Sequence, residues 1–441
     1  MRKMKDSGIA WIGEIPEECS IMRAGLAFSS VLGKMVCSSP SNPEDQKLSY
    51  ICAKDVHFND VDFSDLKKMW FSPKEQTAYS LEEGDLLVVE GGAGAGGAAT
   101  IPDGTDVRNI CFQNSLHRIR AVSDAYDTRY FMYYIGMLVQ KNYVDYVCNK
   151  ATIPHFTKEK IMSIPLVMWS IEQQRAIVAF LDKSCSAIDA TIRKTEYLIE
   201  KIDSYKQSLI TETVTKGLHP EVARKDSGVE WIGEIPETWS VGKTLYALSM
   251  PITDGPHETP ELFDDGIPFV SAEAVSCGNG RIDFNHVRGY ISEEYYRECC
   301  KKYVPEIHDV YMIKSGATTG RVALVDTDKI FTIWSPLAVF RCNDTYDYQY
   351  LFYFLQSDAY QKQIELAWNY GTQQNIGMRT LEKLKLCFPP LVEQREIAAF
   401  LDAKCAAINA DLAKRRALIE RLSDYKRSLI YEVVTGKREV G

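Results

Sequence analysis

Two short loops rich in small residues offer the clearest chemistry in this sequence. The first, Gly91 to Gly97, follows the apolar run Asp85 to Glu90 and satisfies the G-x-G-x-x-G pattern with Gly92-Ala93-Gly94-Ala95-Gly96-Gly97. Loops of that spacing hold a dinucleotide or S-adenosylmethionine when a helix opens directly after them. Here Ala98 to Ile101 and Pro102 to Gly104 predict a strand and a turn instead. We therefore expect a tight loop whose backbone amides approach a phosphate, with cofactor binding as the alternative.

The second loop, Ser315 to Gly320, follows the apolar run Asp309 to Lys314 and adds hydroxyl groups and a cation. Because its residues are small, its backbone can approach a nucleic acid duplex closely. Arg321 follows directly, at the place where the first loop has Gly97. A guanidinium at this point can contact a phosphate or a guanine edge. A plain hairpin turn is the alternative interpretation.

Other catalytic patterns are weak. The sequence contains no Asn-Pro-Pro-Tyr-type loop, no P-loop and no H-E-x-x-H motif. Cys299-Cys300 lacks a base that would activate a thiol, and Arg297, Lys301 and Lys302 either contact DNA or form a solvated face. We interpret the scattered histidines as loop or surface residues, namely His117, His155, His257, His286 and His308.

Composition indicates a soluble, cytoplasmic protein. The chain has 441 residues, of which 45% are hydrophobic and 25% charged, and it has no apolar run long enough to span a membrane. Its twelve cysteines form no C-x-x-C pair, so we expect reduced, mostly buried thiols. The net charge of −9 argues against a protein covered in nucleic acid, but it is compatible with a local basic cleft.

Two long helices must position these loops. The first is predicted from Glu172 to Lys216, because apolar residues recur there in steps of three and four, as on one face of a heptad helix. Its seam is Leu181, Cys185, Ile188, Ile192, Ile199, Ile202 and Leu209, with Thr195 and Lys206 in the gaps. The second seam is Leu401, Cys405, Ile408, Leu412, Ile419, Leu422 and Leu429, with Arg415 and Lys426 in the gaps. Matching seams predict that the two helices pair.

The chain is an internal repeat with an offset of 220 positions. The lead Asp6 to Glu17 returns as Asp226 to Glu237, and Phe180-Leu181-Asp182 returns as Phe400-Leu401-Asp402. Each copy comprises a Trp-Ile-Gly lead, a globular segment of mixed α and β structure, and a long helix. In the globular segments Tyr130 to Tyr134 and Tyr350 to Phe354 open apolar helices, but most other residues differ. A repeated frame with different surfaces indicates two modules that do the same task on different targets.

These features resemble the specificity subunit of a type I DNA restriction–modification system. The resemblance rests on the Trp-Ile-Gly-Glu-Ile-Pro leads at Trp11 and Trp231, and on Glu172-Gln173-Gln174-Arg175 followed by Phe180-Leu181-Asp182. The second copy repeats it in Pro389-Pro390-Leu391, Glu393-Gln394-Arg395 and Phe400-Leu401-Asp402, and the Ser315 to Arg321 loop matches a loop of the family's recognition domains.

The resemblance implies an α+β fold with two target-recognition domains and two long antiparallel spacer helices. The domains would span residues 1–165 and 218–388, and the helices 166–217 and 389–441. It implies a non-catalytic subunit that binds double-stranded DNA together with methyltransferase subunits, and through them nuclease–translocase subunits. S-adenosylmethionine, ATP and magnesium would belong to those partners. The candidate DNA-binding residues are Gly92, Gly94, Gly96, Lys314, Ser315, Gly316, Thr318, Thr319 and Arg321.

Two domains held by a rigid pair of helices would suit a bipartite DNA target. Successive half-sites on one face of B-DNA lie roughly 34 Å apart, and a stiff spacer fixes that separation better than a flexible linker. A coiled-coil scaffold that binds only proteins, and a standalone enzyme that uses the glycine loop, are the alternatives.

Overall fold

The computed structural model of the chain describes residues 2–92, 94–148, 155–368 and 375–440. These residues form two compact units. Unit 1 comprises residues 1–195 and 417–441, and unit 2 comprises residues 196–416. Each long helix therefore belongs partly to one unit and partly to the other.

Unit 1 combines short strands with a few helices. Its strands are β1 (Met4–Asp6), β2 (Glu14–Pro16), β3 (Ser20–Arg23), β4 (Phe28–Leu32), β5 (Gln46–Ile51), β6 (Val56–His57), β7 (Asp60–Val61), β8 (Lys67–Phe71), β9 (Leu86–Val89), β10 (Ala98–Thr100), β11 (Ile110–Phe112), β12 (Leu116–Ala121) and β13 (Pro165–Met168). Its helices are α1 (Ala24–Ala27), α2 (Pro73–Ala78), α3 (Thr128–Gln140), α4 (Tyr143–Val147), α5 (Lys158–Ser163) and the first part of α6 (Ile171–Lys216).

Unit 2 has the same kinds of element in a similar order. Its strands are β14 (Arg224–Asp226), β15 (Glu234–Pro236), β16 (Ser240–Lys243), β17 (Thr253–Asp254), β18 (Ile267–Val270), β19 (Tyr290–Ile291), β20 (Val310–Ile313), β21 (Val322–Leu324), β22 (Thr332–Ile333), β23 (Leu337–Phe340) and β24 (Lys385–Phe388). Its helices are α7 (Ala272–Cys277), α8 (Glu293–Cys300), α9 (Tyr348–Gln356), α10 (Asp358–Ala367), α11 (Met378–Leu381) and the first part of α12 (Leu391–Val434). Short 3₁₀ turns lie at Ala53–Asp55, Thr244–Ala247 and Phe284–His286.

Two sheets of each unit have matching topology. In unit 1 a four-stranded antiparallel sheet has the order β10-β9-β12-β4, and in unit 2 the order is β21-β20-β23-β17. A three-stranded sheet has the order β11-β5-β8 in unit 1 and β22-β18-β19 in unit 2. Strands β9 and β20 are buried along their whole length, as their uninterrupted apolar runs predict. The mixed α and β architecture expected from the sequence is confirmed.

The two leads fold identically. Lys5 in β1 donates to the carbonyl of Glu17 at 2.8 Å, and Lys225 in β14 donates to the carbonyl of Glu237 at 2.7 Å. In both hairpins the strands pair in the same register, from Met4 opposite Pro16 and from Arg224 opposite Pro236. The repeat found in the sequence is therefore a repeat of backbone structure.

The long helices α6 and α12 contain 46 and 44 residues and lie antiparallel where they meet. In unit 1 Lys426 donates to both carboxylate oxygens of Asp189 at 2.7 Å. In unit 2 Lys206 donates to Asn409 at 2.7 Å, at the equivalent position. The predicted seam is confirmed in part, because Leu181, Cys185, Ile188, Leu401, Cys405, Leu412 and Leu429 are buried. Its other apolar residues are half-buried. Lys206 and Lys426, the lysines in the gaps of the seam, make the polar contacts with the facing helix described above.

A buried tyrosine in each unit binds the last turn of a long helix. The hydroxyl of Tyr350 in α9 donates to the carbonyl of Val214 at 2.8 Å. The hydroxyl of Tyr130 in α3 lies between two carbonyls, 2.6 Å from that of Val167 and 3.1 Å from that of Val434. The last carbonyls of a helix lack partners within the helix, so a buried donor stabilises such an end. Burial also raises the pKa of both phenols well above the ordinary value, which keeps them protonated donors.

The starts of the long helices are held by the same apolar helices. The amide of Gln174 in α6 accepts from the backbone of Asp127 at 2.9 Å, and Gln394 in α12 accepts from Asp347 at 2.7 Å. About two turns further along each long helix, Tyr133 donates to Asp182 at 2.7 Å and Tyr353 donates to Asp402 at 2.6 Å. The repeated Glu-Gln and Phe-Leu-Asp motifs therefore attach helix to globular unit.

Within the described ranges, none of the helices combines the length and apolar character needed to cross a membrane.

The buried position of His117 corrects the sequence interpretation that placed it in a loop or on the surface. It lies in β12, is 1% exposed, and contacts the hydroxyl of Ser30 through Nδ1 at 3.4 Å. Its Nε2 has no hydrogen-bond partner among the described residues. Burial lowers its pKa from 6.5 to about 4.

The depressed pKa of His117 predicts acid sensitivity of unit 1. Above pH 6.5 the imidazole is neutral in both the folded and the unfolded chain, so it adds no pH dependence. As the pH falls from 6.5 towards 4, the unfolded chain takes up the proton first, and the free energy of unfolding drops by roughly 2–3 kcal/mol. His117→Leu should remove this part of the pH dependence in denaturant unfolding at pH 7 and pH 4.5. The exposed His219→Leu is the matched control, and equal slopes for wild type and His117→Leu would contradict the prediction.

Candidate nucleic-acid interface

The two glycine-rich loops are equivalent hairpin turns. In unit 1 the amide of Gly96 donates to the carbonyl of Val89 at 2.9 Å, and in unit 2 the amide of Gly320 donates to the carbonyl of Ile313 at 2.8 Å. Each loop joins two antiparallel strands, β9 to β10 and β20 to β21. A strand follows the loop where a dinucleotide or S-adenosylmethionine site needs a helix, so the geometry disfavours the cofactor interpretation. Ala93 lies outside the described residues.

One side of each loop is open and the other is packed. Gly92 and Gly316 have φ angles of 83° and 98° and no atom near the position of a Cβ, so a side chain there would be strained rather than crowded. By contrast, a Cβ on Gly96 would lie 2.7 Å from Val139, and one on Gly320 would lie 2.3 Å from Gln361. The open side can therefore come close to a duplex while the packed side fixes the loop on its unit.

The hydroxyl residues and small residues of the loops differ in their hydrogen bonds and in their exposure to solvent. The hydroxyl of Thr319 donates to the carbonyl of Gly316 at 2.7 Å, which assigns it to holding the turn. Ser315 and Thr318 are half-buried at the loop surface, and Gly94 is exposed in the first loop. Of the predicted hydroxyl contacts, Ser315 and Thr318 are thus better placed than Thr319.

Arg321 lies at the rim of a cavity of about 430 Å³ in unit 2. Its side chain is anchored at one nitrogen, because Nη1 donates to the carbonyl of Ser276 at 3.1 Å. Lys206 of α6 lines the same cavity, together with the amides of Gln207, Asn279, Gln356 and Gln361. The described lining contains two cations and no carboxylate, which is the composition expected around a phosphate.

Lys314 is not on the open side of the loop. Its side chain is 10% exposed, and its amine lies 3.3 Å from the carboxylate of Asp254, which is itself buried. Lys302 and His257 reach the same carboxylate at 2.5 Å and 3.2 Å. The charge of Lys314 is therefore already matched inside unit 2, and its proposed contact with DNA has no support from this geometry.

The basic residues around α8 are also paired. Arg297 lies 2.9 Å from Glu293, and Lys301 lies 2.5 Å from Glu298. Both pairs join neighbouring turns of one exposed helix surface, where ion pairs are weak and solvated. Of the two interpretations left open for these residues, the structure favours the solvated face.

A second surface was missed in the sequence although its signal was present. In the edge strand β8, Lys68 and Trp70 lie on one face, and 220 positions later Arg288 and Tyr290 stand in the same order at β19. Lys68 and Arg288 are exposed, and the guanidinium of Arg288 lies 3.9 Å from the ring centre of Trp334. A cation held beside an aromatic ring is a common nucleic-acid contact. The exact repeat offset could have revealed the pair.

Comparison with known sequences gives a consistent result. A sequence model of the type I restriction modification DNA specificity domain matches residues 62–201 and 258–421. The chain is 22% identical over 434 residues to the type I restriction enzyme MjaVIII specificity subunit of Methanocaldococcus jannaschii, covering 97% of this chain and 94% of that protein. It is 27% identical over 319 residues to the putative type I restriction enzyme MjaX specificity subunit of the same organism, covering 70% and 68%.

Solved structures have the same fold. A chain from a study of complex assembly and conformational transition of the type I R-M system aligns with a TM-score of 0.71 at 16% identity, over 95% of this chain and 98% of that one. The HsdS subunit from Thermoanaerobacter tengcongensis aligns with a TM-score of 0.51 at 14% identity, over 96% and 98%.

The position of Arg321 predicts a phosphate contact. Because Arg321 is anchored to the carbonyl of Ser276 at the rim of a cavity that Lys206 also lines, with no carboxylate among its described lining residues, we expect Arg321→Ala to weaken binding to all duplex sequences. The slope of log affinity against log salt should fall by about one unit. Fluorescence anisotropy over a salt series measures both effects, and Arg297→Ala, whose charge is paired, is the control.

Two outcomes would contradict that assignment. Relaxed preference at one base position, with a loss of about 1–3 kcal/mol, would identify a base contact instead. Unchanged affinity, salt slope and target would show that the loop is only a turn.

Proposed function

Because the chain belongs to the type I restriction–modification DNA specificity family, and is a non-catalytic subunit that recognises DNA targets, we propose that each of its two units recognises one block of a bipartite target. The globular segments at residues 1–165 and 218–388 act as the two target-recognition domains. The spacer helices are α6 and α12, which are shorter than the expected ranges 166–217 and 389–441, because Pro165–Met168 forms strand β13 of the globular part and α12 ends at Val434. A scaffold that binds only proteins is not favoured, since the family match covers both halves of the chain.

One observation carries the proposal. The two hairpin loops share their backbone hydrogen bonds, whereas their residues differ: Gly92, Gly94 and Gly96 in one, and Ser315 to Arg321 in the other. The same frame can place each loop against a sugar–phosphate backbone, and the differing surfaces around it can select different bases. We further propose that Lys68 and Arg288 contact phosphates, since Lys68 lies in the edge strand β8 and Arg288 lies two residues before the equivalent edge strand β19.

Its partners include DNA and methyltransferase subunits, as membership of a type I system implies. We propose that two methyltransferase subunits bind the long helices and the surfaces beside them. These subunits would bring S-adenosylmethionine, and nuclease–translocase subunits with ATP and magnesium would join through them. A cytoplasmic location is part of the same proposal.

Exchange of one domain tests whether each unit recognises its own block of the target independently. Replacing residues 240–385 with the equivalent segment of a related chain should change one block of the methylated target and preserve the other. The target is measured by methylome sequencing of cells that also express the methyltransferase subunits. The reciprocal exchange in unit 1 serves as the control and should change the other block. A single exchange that alters both blocks would contradict independent recognition.

Lengthening the helices tests whether they set the spacing. One heptad inserted at equivalent points of α6 and α12 adds about 10 Å to each and preserves the seam, which corresponds to roughly 3 bp of DNA. The unread spacer of the target should lengthen while both blocks stay the same. Seven residues inserted after Gly104, in an exposed loop, are the control. A methylome with an unchanged spacer would refute the role of the helices.

A further inference from the structure

The turn between β11 and β12 lies directly beside the first glycine-rich loop. The carbonyl of Ser115 in this turn accepts from the backbone N–H of Glu90, the residue that precedes the loop, at 2.9 Å. Unit 2 has the same connection, because the carbonyl of Pro336 accepts from the backbone of Lys314 at 2.8 Å. A duplex that contacts the loop therefore also reaches the turn. We refer to residues 113–115 as the amide turn.

The backbone of the amide turn is fixed from both sides. The backbone N–H of Gln113 donates to the carbonyl of Ile51 at 3.0 Å, and that of Asn114 donates to the carbonyl of Lys34 at 2.9 Å. A Cβ on Gly33 would lie 2.3 Å from the carbonyl oxygen of Gln113, so the two segments are in direct contact there. Paired backbone groups and close packing hold the side chains of the turn in place, which a contact of strict geometry requires.

A chain of side-chain hydrogen bonds orients both amides of the turn. The hydroxyl of Ser115 accepts from the backbone N–H of Ala53 at 3.0 Å and donates to Oε1 of Gln113 at 2.7 Å. Nε2 of Gln113 then donates to Oδ1 of Asn114 at 3.0 Å. The chain runs in one direction, from the backbone through the hydroxyl and both amides, so each amide oxygen faces a donor.

The amide of Asn114 keeps hydrogen-bonding groups that can contact a ligand. Within the described part of the chain, its Oδ1 accepts one hydrogen bond and its Nδ2 donates none. Asn114 is half-buried, and its Nδ2 is accessible to solvent. A free N–H donor beside a free lone pair matches adenine, because N7 of that base accepts and its N6 amine donates in the major groove.

The amide turn lies at a suitable distance from Lys68, the phosphate contact proposed above. The turn continues β11 of the sheet β11-β5-β8, in which Ile110 lies opposite Ser49 and Ser49 lies opposite Lys68. Two strand spacings and three residues along β11 give roughly 14 Å between the backbones of Lys68 and Gln113. The major groove is about 12 Å wide, so one residue can contact a phosphate at its edge while the other contacts a base.

The equivalent turn of unit 2 has different side chains. It consists of Trp334-Ser335-Pro336, between β22 and β23. It closes with a backbone hydrogen bond of 3.1 Å from Leu337 to Trp334, where the amide turn has one of 2.9 Å from Leu116. The backbone of the turn is thus repeated without its amides, as expected at a position that contacts a different base in each block.

We propose that Asn114 recognises an adenine in the target block of unit 1. Its Nδ2 donates to N7 of the base and its Oδ1 accepts from the N6 amine. Gln113 and Ser115 are positioning residues that fix the plane of the Asn114 amide. This inference rests on the proposed function, because it names a base contact within the block that is assigned to unit 1 there.

Replacement of single adenines tests the contact. The block of unit 1 is identified by the domain exchange above, and duplexes carry 7-deazaadenine, which lacks the N7 acceptor, at each of its adenines in turn. The full chain with methyltransferase subunits should bind one of these duplexes about 10-fold more weakly, because one hydrogen bond is lost. Asn114→Ala and Asn114→Leu should bind the natural duplex about 5- to 150-fold more weakly than the wild type, and should lose no further affinity on 7-deazaadenine.

Two further variants serve as a control and as a test of positioning. Ser335→Ala, in the equivalent turn of unit 2, is the matched control and should keep the wild-type response at the block of unit 1. Ser115→Ala removes the hydroxyl that orients Gln113, so the loss of affinity on 7-deazaadenine should shrink without disappearing. Base preference within the block of unit 2 reports the folding of all variants and should not change.

Three outcomes would overturn the adenine contact. They are equal affinity of the wild type for every 7-deazaadenine duplex, an Asn114→Ala chain that retains the 10-fold loss, and an Asn114→Ala chain that binds all duplexes uniformly more weakly, as expected for a phosphate contact. In each case the wild type still prefers its own target, so the proposed function stands. A wild type without preference between its target and other duplexes overturns the proposed function, and the adenine contact with it.

Discussion

The structure depends on a buried hydrogen bond between a tyrosine hydroxyl and the end of a long helix. Tyr350 donates to Val214 in the last turn of α6, and the hydroxyl of Tyr130 lies between the carbonyls of Val167 and of Val434, in the last turn of α12. A buried carbonyl without a hydrogen-bond partner costs about 1–3 kcal/mol. The helix end is therefore most stable in the one position in the core where its carbonyl meets the tyrosine hydroxyl. The starts of the helices are fixed by Gln174 and Gln394. Each side-chain amide accepts from one backbone N–H and donates to backbone carbonyls of its own unit.

This attachment explains which parts of the chain repeat. The leads, the apolar helices and the helix termini contact one another, so a change in one requires changes in the others. The hairpin loops share only their backbone pattern, because Gly96 and Gly320 must pack while the open side has no such constraint. The chain can therefore vary its DNA-facing residues without disturbing the frame that carries them.

Pairing of charges explains how a chain with a net charge of −9 can bind DNA. Lys302 and Lys314 are matched to the buried Asp254, and the cations of α8 are matched to its own glutamates. The cavity beside Arg321 has cations and no carboxylate among its described lining residues. Attraction of phosphates is thus a property of particular surfaces, since the field near a phosphate depends on the closest charges.

The sequence by itself determined the repeat, the extent of the first long helix and the strand that follows the first glycine loop. These features are local: heptad spacing predicted a helix from Glu172, one residue from its observed start, and Gly217 follows its last residue. Only the tertiary structure decided the environment of Lys314, His117 and Arg321. Their partners Asp254, Ser30 and Ser276 lie 60, 87 and 45 positions away. Such pairs form through sheet register and packing between distant elements, which no local spacing of residue types encodes.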